Sequence, residues 1–170
     1  MLLKVDLAKA FDKINWDFIK AILSAFGFRE NLIQWIMGLI SFSFFSILIN
    51  GVPSKCFSPS MGIRHGGPLS PFLFVLVAKG LGRMIKEKVQ NGRLKGLNLH
   101  PGSETQSHQQ FVDDTLLMAY QAVQEARELK SILKLFAKAS GMEANPRKSN
   151  IYFFNTPLIT QRNIARILGF

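Results

Sequence analysis

The chain predicts an α+β domain whose strands are partly covered by helices. Three observations carry this. Short strand-like apolar runs lie at both ends and in the middle of the chain. Several longer segments repeat apolar residues at helical spacing. An Asn50-Gly51 pair between apolar runs marks a hairpin turn.

Taken in order, residues 2–7 read as a strand. A helix follows from about Asn15, because Ile19, Ile22, Leu23 and Phe26 form one apolar stripe and Gly27 can stop it. A second helix is expected from Glu30 to Leu39, then hairpin strands at 44–49 and about 55–63 around Asn50-Gly51. Pro68 to about Gln90 reads as a long helix, apolar at first and basic later, that ends at Asn91-Gly92. Short strands are expected at Leu97-Asn98-Leu99, Gln109–Val112 and Thr115–Ala119, with Asp113-Asp114 at the tight turn between the last two. Glu125 to Ala139 places Leu129, Ile132, Leu133 and Phe136 on one helix face, with Gly141 beyond its end. Residues 149–154 read as a strand and Thr160 to Ile167 as a short helix.

Composition narrows the function. At 170 residues, 48% of them hydrophobic, the chain fits one domain with a substantial core and is not a disordered tail. A formal charge of +10 favours a polyanionic partner, since lysines and arginines that neutralise phosphates release counterions. Solubility alone would also use such charge. Cys56 is the single cysteine and forms no internal disulfide, while His65, His100 and His108 lack metal-ligand spacing. A reducing compartment, nucleus or cytoplasm, is compatible with this. Lys4 and Asp6 interrupt the apolar start, so no secretory signal is read there. The uncharged stretch from Ile36 to Val52 contains Ser41, Ser43, Ser46 and Asn50 and falls short of the roughly 20 apolar residues of a membrane span. No membrane partner is expected.

Two runs carry the chemistry. Lys4-Val5-Asp6-Leu7 and Phe111-Val112-Asp113-Asp114 each set aspartate into a strand-like apolar stretch, from which it can project into a cleft. Carboxylates gathered from two distant strands suit a site for two divalent cations, which together stabilise the attacking and leaving oxygens of a phosphoryl displacement. Mg²⁺ favours such hard oxygen donors and shares them with substrate phosphates. Taken alone, an Asp-Asp pair is more often a solvated turn.

Four segments, in order, overturn that bland reading. Asp6 to Trp16, the run Gly62-Ile63-Arg64-His65-Gly66-Gly67-Pro68-Leu69-Ser70-Pro71, Phe111 to Asp114, and Ser140 to Ser149 resemble successive motifs of a reverse transcriptase palm. The similarity is to the non-LTR (LINE-type) retrotransposon class in its plant-like form and spans nearly the whole chain. The resemblance implies a split ferredoxin-like polymerase palm, an antiparallel sheet with packed helices, truncated so that it has no fingers or thumb. It implies that residues 1–170 are a partial reverse transcriptase domain, from the first catalytic motif to just before the primer grip. The missing fingers, thumb and endonuclease regions would belong to a larger parent polyprotein.

The same resemblance implies the roles. Asp6, Asp113 and Asp114, with the carbonyl of Leu7 (or its neighbour), hold two Mg²⁺ ions, or Mn²⁺ in their place, and Asp114 has the less direct part. Phe11 packs beneath the deoxyribose and excludes a 2′-hydroxyl, although a plain core role would use the same bulk. Asp12 supports the following turn. Arg64, His65, Gly66 and Pro68 approach nucleotide and template, and Lys148 protonates the departing pyrophosphate. The implied partners are an RNA template, a DNA primer and dNTP, and the implied reaction is RNA-directed addition of dNTPs to the primer. His65 and Gly67 stand where the family pattern has glutamine and aspartate, and Gln109-Gln110 stand where it has apolar residues. An inward glutamine without partners would cost about 1–3 kcal/mol. The alternative function is a non-catalytic basic RNA/DNA-binding remnant of a retrotransposon.

Overall fold

A computed structural model describes residues 1–98, 105–111 and 114–170. Their order is β1 (Leu2–Ala8), α1 (Ala10–Lys13), α2 (Trp16–Ala25), α3 (Glu30–Ser41), β2 (Leu48–Ile49), β3 (Val52–Pro53), α4 (Ser70–Gln90), β4 (His108–Phe111), β5 (Asp114–Met118), α5 (Val123–Ser140), β6 (Glu143–Ala144), β7 (Asn150–Tyr152) and α6 (Leu158–Leu168). The α+β expectation holds, and the main sheet is antiparallel throughout.

β1 is the centre of that sheet. β5 pairs along one side, with β4 beyond it at the edge. Along the other side β7 pairs with the first half of β1 and β6 with its end. Alternation sets the faces: Leu3, Val5 and Leu7 are buried, whereas Lys4 and Asp6 are only partly covered. Leu117 continues the buried face on β5. Against it pack Phe74, Val77, Leu81 and Ile85 of α4, Leu129, Ile132 and Phe136 of α5, and Ile19 and Leu23 of α2. One sheet face is therefore core and the other is open. Among the described residues no helix is long and apolar enough to cross a membrane.

Several expected boundaries move. α4 starts at Ser70 rather than Pro68, because residues 64–70 first close into a turn: the Ser70 hydroxyl donates to the Arg64 carbonyl at 2.5 Å. The hairpin keeps its Asn50-Gly51 turn, but the first strand covers only Leu48–Ile49 and the second is Val52–Pro53, before the expected 55–63, where only a single bridge from Phe57 to Phe45 forms. Ser54 donates its amide to the Ile47 carbonyl at 2.8 Å, but the return bond from the Ile47 amide goes to the Ser54 hydroxyl at 2.9 Å, and Pro53 has no N–H to give. Leu97 forms only a single bridge, to Gln106, and the expected neighbour Leu99 lies outside the described residues, as do His100, Val112 and Asp113. The strand expected at 149–154 covers Asn150–Tyr152. α1 and β6 were not legible in the sequence.

Candidate active site

Asp114 belongs to β5, not to the turn where the sequence placed it, and stands directly opposite Asp6 in the β1–β5 register. Paired residues of an antiparallel ladder share a face, so both carboxylates lie on the open side of the sheet. Like charges in that position repel. Lys4, two residues before Asp6 and on the same face, places its Nζ 2.9 Å from Asp114 Oδ2. That hydrogen bond and the Asp114 charge hold the Lys4 ammonium above the ordinary lysine range. Phe111 pairs with Asp114 across β4–β5 and is strongly exposed beside it. Asp113, one residue before Asp114, lies outside the described residues.

The lysine-bearing segment wraps the backbone of Asp6. β6 and β7 leave a gap along β1, and residues 145–149 fill it: the Asn145 amide donates to the Asp6 carbonyl at 2.8 Å, and the Asp6 amide donates to the buried Ser149 hydroxyl at 3.2 Å. Asn145 also shapes the turn, accepting from Arg147 N on its side chain and from Lys148 N and Ser149 N on its carbonyl. Lys148 is thus on an exposed turn tied directly to Asp6. The sequence contained both residues but not this link. Leu7 turns its side chain into the core, opposite Ala144.

The first and second motifs meet backbone to backbone. After β1 the chain turns through Lys9 in a left-handed conformation into α1, which carries Phe11 and Asp12. The Gly62 amide donates to the Ile14 carbonyl at 2.7 Å, Ile63 N to the Phe11 carbonyl at 2.8 Å, and Trp16 Nε1 to the Gly62 carbonyl at 2.7 Å. A Cβ on Gly62 would lie 2.6 Å from the Asp12 carbonyl oxygen, so only glycine permits this approach. Phe11 stacks on Phe74 at 4.7 Å and lies 5.2 Å from the His65 ring. It is partly exposed, so it is both a packing residue and a surface of the site. Arg64, His65, Gly66 and Pro68 are all exposed. Asp12 does more than support its turn: its Oδ1 is 2.9 Å from His65 Nε2. His65, which replaces the family glutamine, thereby gains a partner 53 residues away in the chain.

The glutamine pair resolves in the same way. Gln109 faces out, while Gln110 faces α4 and donates to the Ala78 carbonyl at 3.0 Å, so its burial is compensated.

Asp6 and Asp114 supply an all-oxygen donor set on an open surface, and it fits a hard divalent cation. Lys4 would have to release Asp114 for both to serve. Among the described residues no group of three or more acidic, histidine or cysteine side chains converges as a complete metal cage.

The chain is 33% identical over 110 residues to an uncharacterized mitochondrial protein of Arabidopsis thaliana, covering 64% of this chain and 88% of that one. It is 27% identical over 147 residues to a retrovirus-related Pol polyprotein from a type-1 R2 retrotransposable element of Popillia japonica, of which it spans 23%. A solved telomerase from Candida albicans, in complex with the TWJ fragment of telomeric RNA, shares the fold with a TM-score of 0.68 at 12% identity, over 92% of this chain and 27% of that one. The family model for reverse transcriptase (RNA-dependent DNA polymerase) matches residues 1–170, and the chain belongs to that family.

Proposed function

We propose that the chain carries the catalytic palm of an RNA-directed DNA polymerase, as a partial domain that adds dNTPs to a DNA primer on an RNA template. The observation that carries this reading is the pairing of Asp6 with Asp114 on the open face of the sheet. Asp6, Asp114 and the adjacent Asp113 would hold two Mg²⁺ ions, with Mn²⁺ as a substitute, and the Leu7 carbonyl is an additional oxygen near Asp6. Such ions, when bound, stabilise the attacking and leaving oxygens of phosphoryl transfer.

The remaining roles fall to this chain's own side chains. Phe11, stacked on Phe74, is the ring that the sugar of an incoming nucleotide would meet, and a 2′-hydroxyl would collide with it. Arg64 reaches for phosphate, while Gly66 and Pro68 keep the neighbouring backbone free of bulky side chains. His65, held by Asp12, takes the place of a nucleotide-positioning amide. Lys148, on the turn bonded to Asp6, delivers a proton to the departing pyrophosphate.

Primer extension on an RNA template with Mg²⁺ or Mn²⁺ tests this. Incorporation that vanishes in Asp113→Asn supports the reading. No incorporation by folded wild-type protein, with nucleic-acid binding retained, would replace it with the binding-remnant function.

A further inference from the structure

A cavity of about 540 Å³ opens between the end of α2, the side of α4 that faces β4, and the edge strand β4. It contains none of Asp6, Phe11, Arg64, His65, Asp114 or Lys148. Its apolar wall is Phe26, Val75 and Ala78, and its charged rim is Lys79, Arg83 and Lys86. Those three cations are spaced four and three residues apart, which puts them on one face of α4, separated along its axis by about 6 and 4.5 Å. Like charges at this spacing oppose helix formation, so local helix stability does not account for them. Among the described residues, Lys88 on the same helix is paired with Glu128, but no ion pair involves Lys79, Arg83 or Lys86.

The floor of the cavity is polar and fixed. His108 and Gln110 both lie on the inward side of β4. The His108 ring is anchored through Nδ1 by the Ser107 hydroxyl at 3.0 Å, and Gln110 is anchored to the Ala78 carbonyl. α4 comes close enough that a Cβ on Gly82 would meet His108 Nε2 at 2.7 Å. Arg83 lies 5.5 Å over the Phe26 ring, which orients its guanidinium at the mouth.

We propose that this cavity is an anion site that takes the phosphate of a nucleotide, free or within a single strand, on Lys79, Arg83 and Lys86, with the base or sugar against Phe26 and Val75. The size suits a nucleotide, the rim supplies positive charge, and the mixed lining distinguishes it from a plain solvated helix face. An acidic peptide would use the rim but would have less to place against the apolar wall. This inference does not rest on the metal site.

His108 is the reporter. Burial, then the Lys86 charge, holds its imidazole below the ordinary histidine range. An anion docked on the rim offsets the Lys86 charge, which raises the His108 pKa, and a ligand that covers the ring adds burial, which lowers it, so occupancy of the cavity moves the His108 titration. The experiment follows the His108 ring resonance by NMR through a pH titration of the full chain, with AMP, an eight-nucleotide single-stranded RNA, or an oligo-glutamate peptide. The expected result is a saturable shift of the His108 pKa with the RNA. A matching shift with AMP identifies the free nucleotide as sufficient, whereas a shift with RNA alone identifies the strand as the source. Arg83→Gln/Lys86→Gln, checked for folding by circular dichroism, should weaken binding roughly tenfold or more for each charge-assisted bond lost. Asp6→Asn should leave the shift intact. No shift with either AMP or RNA, an undiminished shift in the double variant, or an equal shift with oligo-glutamate would overturn the proposal.

Discussion

Replacing Gly62 by alanine tests whether the second motif is held to the first by backbone contact. Gly62 has φ of +85°, and an added Cβ would lie 2.6 Å from Asp12 O, 2.9 Å from Asp12 C and 3.0 Å from Phe11 O. Left-handed backbone costs a non-glycine residue roughly 1–2 kcal/mol. Forcing a methyl against packed neighbours adds roughly 1–3 kcal/mol. Gly66 isolates the first cost, because its φ is +76° but nothing lies within 4 Å of its Cβ position. The stiffer unfolded chain of alanine offsets about 0.4–1 kcal/mol at either position and cancels in the comparison. The clash alone should therefore separate the two variants by about 1–3 kcal/mol, a melting difference of roughly 2–12 °C for a chain of this size. Thermal denaturation by circular dichroism reads it directly. Gly62→Ala should melt below Gly66→Ala and also weaken any function that depends on Arg64 and His65. Equal melting temperatures would refute the proposed backbone docking.

Two further outcomes follow from the charges. Lys4→Met removes the competitor for Asp114, so divalent-cation affinity should rise while the melting temperature at low cation concentration falls, as titration calorimetry and thermal melts can check; unchanged affinity would mean that the ion pair does not restrain the site. Glu125 is buried and accepts from the Tyr120 amide at 2.9 Å, and burial is the largest cause holding its pKa above the ordinary value despite the opposing bonds and the Lys95 charge. A raised folded-state pKa means that the native state binds the proton more tightly, so this contribution is fully present below the ordinary glutamate pKa of 4.5 and is lost as pH rises through the folded value. Urea midpoints of the wild type relative to Glu125→Gln should fall across that window, and a pH-independent difference would contradict the assignment.

The parts of this fold that were legible in the sequence are those governed by local periodicity and turn chemistry. The stripe through Ile19 and Phe26, the face formed by Leu129 to Phe136 and the Asn50-Gly51 turn each contain their own signal. What depends on register did not. Asp114 read as a turn residue because Asp-Asp favours turns, yet ladder pairing with Asp6 makes it the first residue of a strand. β6 is two residues long and exists only because β1 offers it an edge. His65 and Gln110 looked like losses because their partners, Asp12 and the Ala78 carbonyl, are far away in sequence. The four motifs pointed to the candidate site by resemblance. Only the structure shows that the lysine-bearing turn is hydrogen-bonded to the backbone of Asp6.

The central claim is that the open sheet face holds divalent cations through Asp6 and its partners. Mn²⁺ binding followed by water-proton relaxation tests it most directly, comparing the wild type with Asp6→Asn and with Asp17→Asn, an exposed carboxylate at the start of α2. Loss of the tightest Mn²⁺ binding in Asp6→Asn, with Asp17→Asn unchanged, is the expected result. Equal binding by all three would contradict the account.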